Sequence, residues 1–436
     1  MGHVNGKDIY RRLGDKIDNL PCRSPWNKAL HAILSELYTT NEADVIVRMP
    51  YGLSNIARLQ KVIKYESSQL QRILYDLCSK GLIMDFWIKE EYYYMPSPMA
   101  IGIFELTMMR TGENLDTKKR AELLHEYWQG DDSFWASNFK HGEQISLART
   151  LPHEEAIKKS DHVEVLDYEK AAALIEDSNK FGIGLCSCRH ERYHVGEKKC
   201  DVPLNTCSSF GKIAAYVIRH NFAKEVSKTQ MLENLARSKE MRLVLNADNV
   251  QKNITFMCHC CKCCCNLLSG INKFGYANTV VTSSFIAETA DHLCNGCGKC
   301  AKACPTNAIK MEPTENVKLQ EKKPITDISF CLGCGVCALE CASGARKLIK
   351  REKRVIHPET TFERVILQCL ERGTLQNQIF DDPNSITQQF MRGFLGGFLK
   401  LSSVKKALMS DLLRSLFLDS MKKGIQIQGR GWLTKI

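Results

Sequence analysis

Two runs of cysteine share one spacing. Cys294-Asn-Gly-Cys297-Gly-Lys-Cys300-Ala-Lys-Ala-Cys304-Pro305 and Cys331-Leu-Gly-Cys334-Gly-Val-Cys337-Ala-Leu-Glu-Cys341 each read C-x2-C-x2-C-x3-C. Three thiolates separated by two residues each can curl around one polynuclear centre, while the fourth, a turn of helix later, points toward another. Gly296, Gly298, Gly333 and Gly335 allow the tight turns this needs, with positive φ where required. Backbone amides then lie close enough to donate to sulfur. Zinc is the competing chemistry, but zinc ligands usually come as two separated C-x2-C pairs, which duplicated four-cysteine runs fit poorly.

The duplicated segment resembles the bacterial two-cluster ferredoxins. Carried over residue by residue, the resemblance implies one [4Fe–4S] cluster on Cys294, Cys297, Cys300 and Cys341, and a second on Cys304, Cys331, Cys334 and Cys337. Two departures stand out. Ala342 occupies the position of the second proline, and a charged loop, Lys310–Lys323, lengthens the connection. Neither removes a ligand.

Ten more cysteines lie upstream. Cys186-Ser-Cys188-Arg189 follows the apolar segment Phe181–Leu185, which reads as a short buried strand, and Cys200 and Cys207 follow. Cys186, Cys188, Cys200 and Cys207 could hold a third cluster, with Arg189 offsetting its charge; as free thiols they would pack as small hydrophobes. The stretch Cys258-His-Cys-Cys-Lys-Cys-Cys-Cys265 follows a second expected strand, Asn253–Met257. Strand alternation puts Cys258, Cys260 and Cys264 on one side and Cys261, Cys263 and Cys265 on the other. One cubane takes four thiolates, so these cysteines suit two additional clusters, or one of unusual nuclearity with spares. A redox-active disulfide among the spares is a third option.

The order Cys-x-Cys-Arg, Cys200-Asp-Val-Pro, Cys207, the cysteine-rich octet and then a two-cluster ferredoxin is similar to a group of anaerobic prokaryotic proteins described as 4Fe–4S binding or ferredoxin-like. The likeness runs from about Trp26 to Lys350, and His259 stands where that group commonly has Asn. It implies electron transfer and an amino-terminal winged helix, and assigns no substrate.

The remaining chain must position these thiols. Apolar periodicity predicts helices over Asn27–Tyr38, Ser54–Ile63 and Ser67–Ser79, with Ser54 and Ser67 as N-caps, then strands Leu82–Ile88 and Tyr92–Met95. That order is a winged helix. Residues 22–100 hold nine Lys/Arg against eight Asp/Glu, a poor electrostatic footprint for nucleic acid, so a docking module is favoured over DNA binding through residues 26–95. Lys118–Trp128 and Asp167–Glu176 read as amphipathic helices. His125, His141, His153 and His162 are scattered rather than paired at ligand spacing. Residues 391–436 hold nine Lys/Arg and two Asp, with Leu401, Val404, Leu408 and Leu412 as one apolar stripe. Such a helix docks on its own protein or on an anionic membrane.

The chain has 436 residues, 21 cysteines and a net charge of +11. All cysteines but Cys22, Cys78 and Cys369 lie between Cys186 and Cys341. No secretory signal or membrane-spanning run is expected, and clustered thiols suit a reducing cytoplasm, with peripheral contact at the inner membrane surface as an option. The expected fold class is α+β multidomain: a polar arm (1–25), a winged-helix-like domain (26–110), a helical connector (111–180), a cysteine-rich α/β domain (181–284), a two-cluster ferredoxin-like βαβ repeat (285–352) and a basic amphipathic helical tail (353–436). The functional expectation is an electron carrier with two [4Fe–4S] clusters and one or two further iron–sulfur clusters, serving a redox partner such as an oxidoreductase. A cluster-dependent winged-helix regulator and a reductase subunit with a substrate-binding cluster are the alternatives.

Overall fold

The computed structural model describes residues 3–113, 115–313, 322–352 and 355–435. Residues 314–321 of the expected loop Lys310–Lys323 therefore lie outside the described residues, as does the side chain of His162.

The amino-terminal segment, expected as a polar arm, is a helix, His3–Asp18. Ile9, Leu13 and Ile17, each four residues apart, make one buried stripe on it. Asn27 caps the helix Lys28–Leu37 through its side-chain oxygen, which accepts the Leu30 N–H at 2.8 Å. A further helix, Thr40–Arg48, was not anticipated, although Thr39 and Glu42 form a reciprocal capping box at its start. The helices Ile56–Val62 and Ser67–Ser79 are capped by Asn55 and Glu66, one residue from the expected Ser54 and Ser67. Ser54 and Asn55 form a short strand opposite Tyr94 and Tyr93, and the Asn55 side chain at its end accepts the Arg58 N–H. The hairpin Ile83–Ile88 and Glu91–Pro96 completes this unit, with the second strand in the middle of three.

A seven-stranded sheet forms the centre. Its spatial order is Val280–Val281, Ala148–Leu151, Val244–Asp248, Phe256–Cys260, Asn205–Phe210, Phe181–Leu185 and Ala223–Glu225. All neighbours pair antiparallel except the first two. Ala148–Leu151 comes from the stretch expected as a helical connector, so a boundary at 181 cuts through a sheet. All four of its residues are buried. With Arg149 and Thr150 inside, the strand shows no apolar alternation for a sequence pattern to detect.

The unit that carries the duplicated cysteine runs pairs Phe285–Thr289 with Arg346–Lys350, and Ile309–Pro313 with Lys322–Thr326. It is joined to the sheet directly. The His153 N–H donates to the Cys334 carbonyl at 2.9 Å, and the His153 ring Nε2 lies 2.9 Å from the Leu243 carbonyl.

The tail folds back on the front of the molecule. Asp381 is held by Arg58 at 2.6 Å and by Arg430 at 3.4 Å, and Trp432 packs on Tyr93 with ring centroids 4.9 Å apart. The single stripe expected over Leu401–Leu412 is interrupted, because Ser410 ends one helix, Ser402–Met409, and caps the next, Asp411–Ile427. Val404 and Leu408 pack inward, whereas Leu412 is 81% exposed. Ile386, Phe390, Phe394 and Phe398, spaced by four on the helix Ile386–Leu399, are exposed too. Among the described residues no helix is long and apolar enough to cross a membrane.

Candidate metal centres

The eight cysteines of the duplicated runs separate into two cages. Cys294, Cys297, Cys300 and Cys341 line one small cavity. Cys304, Cys331, Cys334 and Cys337 line another. In each, a glycine in left-handed conformation precedes a short helix: Gly298 (φ 71°) before Lys299–Ala303 and Gly335 (φ 87°) before Val336–Leu339. At Gly335 a Cβ would also meet that of Ala156 at 2.7 Å, so both φ and space require glycine.

The cages differ in depth. Cys297 of the first is exposed, while all four thiols of the second are buried. Burial, reinforced by the neighbouring Cys337, pushes the Cys334 thiol well up from its ordinary range. Burial likewise raises Cys337 to about 11 against the opposing pull of Arg346. Buried thiols that resist ionisation next to one another need a cationic core between them, and this donor set fits a thiolate-bound cluster. Arg346 was not singled out from sequence. It is 2% exposed, donates to the hydroxyls of Thr289 and Thr326, lines the first cage and acts on Cys337 of the second.

The ten upstream cysteines sort differently from expectation. Cys188, Cys265, Cys260, Cys258 and Cys207 form a chain of thiol–thiol contacts, with Cys186 beside Cys188 and Cys207. Cys200 leaves its expected companions and joins Cys261, Cys263 and Cys264, whose Sγ atoms all lie within 4.8 Å of one another. The expected alternation fails at one step. The strand stops at Cys260, and the Cys265 N–H turns back to the Cys261 carbonyl at 3.3 Å. Past the strand end the period of two no longer applies, so Cys265 sides with Cys258 and Cys260 while Cys264 crosses over.

Cys186 is the N-cap residue of the helix Ser187–His194, and Cys188 lies in its first turn, where its sulfur accepts the Asn266 N–H at 3.5 Å. The Asn246 side chain donates to the Cys260 sulfur at 3.4 Å. Arg189, fully buried, donates to the Pro203 carbonyl and the Thr206 hydroxyl at 2.6 Å each and to the His259 carbonyl. Its charge faces Cys186, Cys261 and Cys260, so it serves both thiol groups. Burial and the Arg189 charge press His259 down to about 3, which keeps its ring neutral. The ring Nε2 lies 2.9 Å from the Ser208 hydroxyl.

The two regions touch. Cys260 and Cys265 share one apolar cluster with Leu332, Cys334 and Val336 of the second cage. On the far side, Cys207 and Cys258 open onto a small cavity that is also lined by Glu105, Ile101 and Tyr216. Glu105 accepts the Gly102 N–H at 3.0 Å, and burial raises its carboxyl to about 7. Ile101 adopts φ 53° and ψ 47°, a left-handed conformation that β-branched residues avoid.

Residues 293–345 match a family described as the 4Fe-4S dicluster domain. No curated protein and no solved structure matches the chain.

Proposed function

We propose that this 4Fe–4S binding protein is a multi-centre electron carrier of oxygen-poor metabolism. Electrons pass between two ferredoxin-type [4Fe–4S] sites and at least one further centre held by Cys186, Cys188, Cys207, Cys258, Cys260 and Cys265. The clusters supply one-electron storage at potentials set by burial, charge and hydrogen bonds to sulfur. The chain supplies the cages, the buried Arg346 and Arg189, and the buried apolar cluster that Cys334 shares with Cys260 and Cys265. That shared cluster is the observation on which the reading stands, because it packs buried apolar side chains between the two regions. Anaerobic redox titration followed by electron paramagnetic resonance tests it. Magnetic interaction between a ferredoxin-type signal and a third signal is expected; well-separated, non-interacting signals would overturn it.

One observation favours a reductase subunit as the second reading. The cavity beside Cys207 and Cys258 combines an apolar wall, a carboxyl of raised pKa and a strained backbone at Ile101. A small substrate bound there would shift the spectrum of the six-thiol centre.

The front unit has the element order of a winged helix, and we read it as a docking module. The helix Ser67–Ser79 offers Arg72 alone as a cation, and Lys80 is engaged with Glu42 at 2.6 Å. The aromatic face of Ile386–Leu399, next to the exposed Lys400 and Lys406, suits peripheral contact with an anionic membrane. Co-flotation with anionic vesicles, lost on truncation before Ile386, tests this.

A further inference from the structure

We propose that Cys200, Cys261, Cys263 and Cys264 hold one divalent metal ion in a closed tetrahedral site, distinct from every iron–sulfur cage. The proposal rests on the reading of the middle region as metal-bearing and divides its thiols. The separations are Cys200–Cys261 3.6 Å, Cys200–Cys264 3.9 Å, Cys261–Cys263 3.9 Å and Cys263–Cys264 3.4 Å. A tetrahedral ion with metal–sulfur bonds of ~2.3 Å sets its thiolates about 3.8 Å apart. A cubane interposes four irons and four sulfides and must hold its thiolates much further apart. The ferredoxin quartets behave that way: among the described residues, no three of their sulfurs come within the 4.8 Å limit that this quartet meets.

Local structure explains the convergence. The strand Phe256–Cys260 delivers Cys261 at its end, and the turn closed by the Cys265 N–H doubles Cys263 and Cys264 back beside it. Cys200 arrives from the loop after the helix Ser187–His194. Leu243 and Val202 wall the group. Cys261 and Cys264 are buried, and Cys200 and Cys263 half-buried. Four thiolates around a divalent ion leave two negative charges. The guanidinium of Arg189 is turned toward Cys261, and its Nε has no hydrogen-bond partner. Four soft donors with no open position describe a structural site for zinc, or for iron in the same coordination. The ion would staple the loop carrying Cys200 to the end of the strand that bears Cys258 and Cys260. It would leave six thiols, and so one electron-storing centre rather than two, in the middle region.

The test uses the full-length chain purified without oxygen. Zinc-edge X-ray absorption on the wild type is expected to give four sulfur neighbours at ~2.3 Å and no metal–metal vector. If iron occupies the site, Mössbauer spectra will instead contain a mononuclear tetrathiolate component. Metal and sulfide analysis of Cys200→Ser and Cys263→Ser should show loss of that one ion with cluster iron and sulfide unchanged. Joint loss of iron and sulfide would overturn the proposal, as would a wild type containing neither zinc nor mononuclear iron. The wild-type spectra keep the test decisive if a variant fails to fold. Absence of ferredoxin-type resonance with the tetrathiolate ion retained would sink the electron-carrier reading and leave this one standing.

Discussion

The ferredoxin unit and the middle sheet hold cysteine in opposite ways. In the first, each cage is assembled from glycine turns that fix the backbone, and the thiols stand around open space. In the second, sulfur meets sulfur at a strand end, and a turn decides which thiol faces which way. Backbone conformation positions the one set; side-chain packing and hydrogen bonds position the other. Each region keeps one buried guanidinium, Arg346 or Arg189, against its thiols.

The largest effect should come from the backbone side of that contrast. Gly333 has φ 66°, and a Cβ there would collide with the Phe285 carbonyl and the Ser283 hydroxyl. Gly333→Ala should cost more than ~3 kcal/mol and abolish one ferredoxin-type resonance. An unchanged spectrum would mean that the turn is not what builds the cage.

Acid should separate the regions next. His357 is buried against the sheet, with Nδ1 2.8 Å from the Asn249 side-chain oxygen, and burial, aided by Arg149, lowers it from 6.5 to about 3. Between those values only the unfolded chain takes up the proton. The contribution is therefore complete above pH 6.5 and is lost as pH falls toward 3. It should amount to roughly 2–4 kcal/mol, and His357→Gln should flatten this acid limb in denaturant titrations. An unaltered slope would remove His357 from the account.

The two arginines offer a reciprocal test. Arg346→Gln should lower the ferredoxin potentials by tens of millivolts, about 0.5–2 kcal/mol, and leave the middle centre nearly unmoved. Arg189→Gln should do the reverse. Equal shifts at all centres would erase the distinction. The smallest effect is expected at Asn246→Ala, which removes one donor to the Cys260 sulfur: about 1 kcal/mol, and a downward potential shift confined to the middle centre.

The same contrast explains what the sequence reveals. Cysteines that are contiguous and regularly spaced announce their grouping, and the eight of the duplicated runs fall into two cages. The ten upstream thiols are chemically alike, so nothing in their spacing says that Cys200 belongs with Cys261 or that Cys264 and Cys265 part company. That depends on where one strand stops. Ala148–Leu151 was hidden because both its faces are covered. The helix Thr40–Arg48, in contrast, carries a local signal in Thr39 and Glu42, the two members of its capping box. Arg346 looks like any surface cation until the sheet closes over it.

His153 ties the Cys334 backbone to the strand beginning at Val244, one hydrogen bond in each direction. If the proposed electron carrier is right, such a clamp makes it a fixed wire rather than a swinging shuttle, because it holds the distance between the two thiol regions constant. On that reading, traffic with the outside is easiest at the shallower cage, where Cys297 is exposed.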